Sequence, residues 1–302
     1  MLLLQDSPHR LSIDIDIMCP PGTNIEDYLA KYSEIGFLNY KLIERKQAGT
    51  AIPKSHSKFF YQVAFNADTN KESYILLDVL YEDCHYQQVQ EVEIKNALIE
   101  MEDDIPIVRV PSLGDILGDK LTAFAPETTG IPYYKKDRLA TLEIIKQLYD
   151  VGRLFDRIDN LDVTMVAFSK IAPVELGYRN LPTDDLDVIY NDIRTTAMNI
   201  STRGLVDKEK FDLLQKGIKS IGNFMYKQKY FIEDAITDLS KAAYIATCLQ
   251  FRKEDVQHYS GNPADLINLV IENPLHTRLN RLRTTNPEAF FYWAKTSELL
   301  KS

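Results

Sequence analysis

The chain has 302 residues, 45% of them hydrophobic and 26% charged, the balance of an ordinary soluble globular protein with room for two modest domains. Its formal net charge of −9 argues against holding nucleic acid by bulk electrostatics, so any such contact has to be local. No apolar run approaches the length of a membrane span, the opening Met-Leu-Leu-Leu-Gln-Asp lacks the basic leader and length of a secretion signal, and Cys19, Cys84 and Cys248 stand far apart in no metal-ligand spacing, as expected of free thiols in a reducing cytoplasm.

The first predicted element is a strand over Arg10–Ile17, which alternates strictly. Leu11, Ile13, Ile15 and Ile17 fall on one side, and Ser12, Asp14 and Asp16 on the other, because strand side chains alternate between faces. The two carboxylates share a face with Cα atoms about 6–7 Å apart. That suits joint binding of one hard cation, the arrangement Mg²⁺ favours beside phosphates. An edge strand with an acidic outer face is the alternative that this stretch leaves open. Cys19-Pro20-Pro21-Gly22 ends the strand, and Thr23 or Asn24 caps a short amphipathic helix that runs to about Ile35 and closes at Gly36. Strands are predicted over 37–46, 58–66 and 73–81, with a polar loop at 47–56 and a turn at 67–70, and a fifth over 105–110 ahead of Pro111. Five strands with one early helix describe a small α+β domain over residues 1–110, built on a mixed or antiparallel sheet.

From Pro111 onward the periodicity is helical. Helices are predicted over 112–125, 136–157, 161–173, 184–200, 207–220, 230–251, 263–272 and 286–300, with Tyr, Phe and Leu recurring at three- to four-residue spacing. Pro126, Pro132, Pro173, Pro182, Pro263, Pro274 and Pro287 fall at the expected junctions, where proline does least harm. Residues 111–302 thus read as a helical domain following the sheet domain.

Three further residues stand out. Asp78 interrupts an otherwise apolar strand, Ile75–Leu80, where a lone carboxylate is costly unless paired or metal-bound. Two aspartates on one strand and a third on a later one is the metal-binding layout of polymerase-β-like nucleotidyltransferases, in which the third can also take the proton from the attacking hydroxyl. Ser112 is placed as N-cap of the next helix with Asp115 at the capping-box position, and Leu113, Ile116, Leu117, Leu121 and Phe124 form its buried stripe. Lys120 borders that stripe, so it either extends to solvent or meets an anion. Asp150 lies at helical spacing from Lys146 and Arg153, and an exposed surface ion pair is its plain local reading.

In motif order, over about residues 1–160, these segments resemble the AbiEii/AbiGii toxins. They are Arg-x-Ser-x-Asp-x-Asp (10–16), the strand Asp78, Pro-Ser-Leu-Gly-Asp-Ile-Leu-Gly-Asp-Lys-Leu-Thr-Ala-Phe-Ala-Pro (111–126) and Lys-Gln-Leu-Tyr-Asp (146–150). Those are nucleotidyltransferase-fold toxins of abortive-infection toxin–antitoxin systems, a form of phage defence. The resemblance implies a polymerase-β-like sheet domain followed by a helical C-terminal domain. It implies that Asp14 and Asp16 bind Mg²⁺, that Asp78 completes the acidic site, that Lys120 contacts nucleotide phosphates and that Asp150 is the acid of the fourth motif. Arg10 and Ser12 would touch phosphate or brace the strand. The implied reaction moves a nucleotide from an NTP onto RNA, with tRNA the foremost acceptor, or onto protein. The implied partner is an antitoxin encoded alongside, often one with a winged-helix DNA-binding domain. Two alternatives are a kinase-like phosphotransferase using the same metal site on the γ-phosphate, and a degenerate, non-catalytic copy acting by protein binding.

One departure bears on activity. In the family a Gly-Gly or Gly-Ser turn and a helix precede the Asp strand, whereas here the chain starts at Met1-Leu2-Leu3-Leu4, so Leu2–Leu4 are expected to be the tail of that helix in an N-terminally truncated domain. For an RNA partner, the local basic patches are Lys135-Lys136-Arg138 and Arg278, Arg281 and Arg283.

Overall fold

A computed structural model describes residues 2–4, 8–12, 14–43, 52–62, 72–98, 104–226 and 228–301. The turn expected at 67–70, the first half of the loop expected at 47–56, and the ends of the strands expected at 37–46 and 58–66 lie outside the described residues. The architecture is α+β, and the chain divides into two compact units, Ser12–His85 and Met1–Leu11 together with Tyr86–Ser302. Compactness is a different criterion from the change of periodicity at Pro111.

The smaller unit is a four-stranded sheet. Its elements are β1 (Asp14–Cys19), the short helix α1 (Glu26–Leu29), β2 (Asn39–Ile43), β3 (Lys54–Gln62) and β4 (Glu72–Tyr81). The order is β1-β4-β3-β2, with β1 parallel to β4 and the other pairs antiparallel, so the sheet is mixed as expected. Register and the two-residue period sort the side chains. Ile15, Ile17, Leu77, Val79, Ser57 and Phe59 take one face, and Asp14, Asp16, Leu76, Asp78, His56 and Lys58 the other. Val79, Phe59 and Ser57 are buried on the first face, and Phe59 packs on Phe37 and Tyr40 with ring centroids 5.2 and 6.0 Å away. Fully burying an aromatic or aliphatic side chain contributes about 1.5–3 kcal/mol.

Three expectations shift here. Arg10 and Leu11 are not part of β1, because they pair elsewhere, Arg10 bridging Met225 and the Leu11 amide donating to the Phe224 carbonyl at 2.7 Å. The helix expected over 23–35 is one turn, opened by Asn24 accepting from the Glu26 amide at 2.9 Å and followed by turns to Gly36. The strand expected at 105–110 does not join the main sheet. It is β6 (Ile107–Pro111), paired antiparallel with β5 (Val89–Glu93) in the larger unit.

The larger unit continues with α2 (Leu113–Ala123), the hairpin β7 (Tyr134–Lys135) and β8 (Arg138–Leu139), then α3 (Thr141–Phe155), α4 (Asp162–Tyr178), α5 (Asp187–Ser201), α6 (Lys208–Ser220), α7 (Ile232–Gln250), the short α8 (Leu282–Thr285) and α9 (Pro287–Leu299). Lys136, at φ +57°, turns the hairpin, so residues expected to begin a helix at 136 are diverted and α3 starts at Thr141. Pro173 lies inside α4 rather than at a junction. The helix expected over 263–272 is a four-residue 3₁₀ turn, Pro263–Leu266, and Leu2–Leu4 form another.

α7 is buried almost all round, the signature of a central core helix, and packs on α3, α5 and α9. Trp293 of α9 is fully buried and donates to the Ser201 hydroxyl at 3.2 Å. α2 crosses α4 closely at Gly118, where a Cβ would lie 2.9 Å from both the Phe168 amide nitrogen and the Thr164 carbonyl oxygen. That contact seats α2, and with it Lys120.

Candidate active site

The acidic residues of the smaller unit gather on the polar face of its sheet. Asp16 is the register partner of Asp78, and Asp78 of His56, so the three form one row across β1, β4 and β3. Asp14 stands two residues before Asp16 on the same face, and both are exposed because β1 is an edge strand. For the same reason Ile15 and Ile17 are exposed at 51% and 38%, although their alternation suggested an inner side. Asp78 is paired, as its apolar strand requires: its Oδ1 lies 2.7 Å from His56 Nδ1. Ser12 is exposed and lies ahead of β1.

His56 is the residue that sequence reading missed. It sat at the end of an expected loop, and only the β3–β4 register places it opposite Asp78.

Sequence-predicted residues of the larger unit also meet. Arg10 donates twice to Asp150, Nε to Oδ1 at 3.0 Å and Nη2 to Oδ2 at 2.8 Å, and Lys120 Nζ lies 3.5 Å from Oδ2. The Asp150 side chain is 3% exposed, against 12% for Arg10 and 22% for Lys120. The exposed surface pair suggested for Asp150 is therefore corrected. Lys146 instead lies over the Phe224 ring at 3.5 Å, and Arg153 turns to Asp238. Two cations on one carboxylate leave a surplus positive charge at Lys120 and Arg10, which suits an anion.

The same turn of α3 carries a scaffold. Arg153 Nη2 donates to Asp238 Oδ1 at 2.7 Å, and the Tyr230 hydroxyl to Oδ2 at 2.9 Å. Burial raises the Asp238 pKa, opposed by Arg153 and Lys241. Burial also pushes Tyr149, next to Asp150, up to about 12, so it stays a neutral phenol. Lys241, 3% exposed, is held by Asp156 at 2.6 Å and Glu288 at 2.8 Å. Helix α2 that carries Lys120 is capped as expected, Ser112 Oγ accepting from the Asp115 amide at 3.2 Å. Asp115 does not close the expected capping box, because the Ser112 amide donates to the Gln88 carbonyl at 2.8 Å; its fully buried carboxylate accepts instead from the amides of Gln87 and Gln88 at 2.6 and 2.9 Å.

A separate cleft of about 360 Å³ is lined by Glu127, Tyr133, Asp192, Asp207 and Lys210 among others. Asp192 accepts there from the Glu127 amide and the Thr128 and Thr196 hydroxyls, and burial pushes it up to about 6. Of the basic patches, Arg283 is committed to the Leu269 carbonyl and the Phe290 ring, Arg138 pairs with Glu143 at 2.5 Å, and Arg278 and Arg281 are exposed.

Among the described residues no group of three or more His, Cys, Asp and Glu side chains is arranged to hold a metal ion. Mg²⁺ asks less of a protein, since one or two carboxylates suffice when waters and substrate phosphates complete its octahedron. The all-oxygen pair Asp14 and Asp16 on one strand face fits that chemistry.

The family model described as nucleotidyl transferase AbiEii toxin, type IV TA system, matches residues 1–226. No curated protein and no solved structure matches the chain.

Proposed function

The chain belongs to the AbiEii nucleotidyl transferase toxin family of type IV toxin–antitoxin systems, and from that premise we propose that it transfers a nucleotide from an NTP to a hydroxyl of RNA, tRNA foremost, with Mg²⁺ as cofactor. The observation that carries the reading is the shared row of Asp16 and Asp78 beside Asp14 on the polar face of the smaller unit's sheet. Asp14, Asp16 and Asp78 would hold the ion. When bound, Mg²⁺ neutralises triphosphate charge and favours attack on the α-phosphate. Lys120 offers phosphates a cation, and Arg10 a second. Asp150, the acid of the fourth motif, fixes both side chains. Membership of the family implies an antitoxin partner. No helix among the described residues is long and apolar enough to cross a membrane. Action in the cytoplasm is part of the proposal, and the three free cysteines suit a reducing compartment.

The test is transfer of label from each α-labelled NTP, with Mg²⁺ and tRNA present. Label in the RNA supports the proposal, and label in protein moves the acceptor. Label entering from the γ position alone identifies a phosphotransferase. No transfer, together with unchanged toxicity of Asp14→Ala, overturns the enzymatic reading.

A further inference from the structure

We propose that His56 is a positioning residue for the acidic row. It holds Asp78 by one carboxylate oxygen and so fixes where the other points. The proposal rests on the reading of Asp14, Asp16 and Asp78 as the cation-binding set.

The geometry is specific. A carboxylate only accepts hydrogen bonds, so at 2.7 Å it is Nδ1 of His56 that donates to Asp78 Oδ1. The imidazole cannot drift. β3 lies between β4 and β2, His56 is paired with Asp78 on one side and Ile43 on the other, and its side chain is only 12% exposed. Asp78 on its own would be free to rotate its carboxylate, since that terminal torsion is broad. With Oδ1 engaged, the carboxylate plane is set and Oδ2 is left for a further partner.

Lysines flank this row on both sides of the same face, Lys54 opposite Leu80 and Lys58 opposite Leu76. Lys58 lies one row along the same face, but its Nζ stands 3.8 Å from the centroid of the Tyr74 ring, further along the sheet. Hydrogen-bond partners that orient metal-binding carboxylates contribute typically about 10–100-fold to metal affinity.

The test is Mn²⁺ binding to the full chain, read from the electron paramagnetic resonance of the free ion, which needs no turnover. His56→Ala should weaken Mn²⁺ binding by about 10–100-fold. His56→Asn, whose amide nitrogen can donate from near the Nδ1 position, should restore it to within about threefold of wild type. Asp14→Asn and Asp78→Asn serve as references. If both references lose Mn²⁺ while His56→Ala binds as wild type, the role of His56 is overturned and the metal reading stands. If neither reference changes Mn²⁺ binding, the metal reading itself has failed and the proposal falls with it. Equal loss in His56→Ala and His56→Asn, with wild-type melting, overturns positioning through the hydrogen bond. Should His56→Ala not fold, His56→Asn decides alone: affinity near wild type supports the proposal and loss overturns it.

Discussion

Arg10 and Asp150 lie 140 residues apart in sequence and meet as a two-pronged ion pair, with Nε–Oδ1 and Nη2–Oδ2 separations of 3.0 and 2.8 Å. Its aspartate is almost wholly buried, and Lys120 leans on the same carboxylate. Replacing Asp150 by Ala therefore strands two cations. Breaking a buried pair from one side costs about 3–5 kcal/mol, and the partial exposure of both cations puts this case at the low end. Thermal unfolding of Asp150→Ala should fall by roughly 5–10 °C. Trypsin should cleave the native variant after Arg10, which is protected in the wild type by its pairing with Met225.

Asp14 presents the opposite case. It is exposed on an edge strand, so Asp14→Asn should melt within about a degree of wild type. If Asp14 holds the cation, nucleotide transfer by the same variant should fall at least ~10²-fold. Activity and melting measured on one preparation check both halves.

Gly152 has no room to grow. A Cβ there would lie 2.1 Å from Asp238 Oδ1, and that carboxylate is pinned by Arg153 and Tyr230. Gly152→Ala should cost about 3 kcal/mol or more, read as a lowered denaturant midpoint. A wild-type midpoint would mean that Asp238 can move.

Asp192 makes a prediction about pH. Burial pushes its folded pKa up to about 6 from the ordinary aspartate value of 3.8, so the folded state keeps its proton where the unfolded state has lost it. The contribution to stability is present at acid pH and is lost as pH rises through about 6, by roughly 3 kcal/mol in all. Asp192→Asn cannot ionise and can still accept hydrogen bonds. Relative to wild type it should gain stability at pH 7 that it lacks at pH 4.5, measured by denaturant titration at the two values.

How far the residues could be read in advance depends on how local each signal is. Ser112, Asp115 and the stripe from Leu113 to Phe124 lie within one helix, so its cap and buried side were legible. The alternation through Asp14 and Asp16 was equally local. β5 was not, because Val-Gln-Glu-Val-Glu is largely exposed and carries no apolar face. His56 owes its place to strand register, and Asp150 owes its burial to a residue near the start of the chain. Neither leaves a mark in its own neighbourhood. The hairpin at 134–139 was lost because nothing in Lys136-Asp137 announces a left-handed residue.

The pairing of His9–Leu11 with the Phe224–Tyr226 segment has a consequence for biosynthesis. The smaller unit is one uninterrupted stretch, whereas the larger one is assembled from both sides of it. On a ribosome the sheet can finish while the rest is still being made, but the backbone of His9 and Leu11 must wait for partners more than two hundred positions downstream. Closing so long a loop with an unstructured chain costs several kcal/mol in entropy. A sheet that has already collapsed shortens the effective loop, so in the nascent chain Ser12–His85 should fold before the segments on either side of it join.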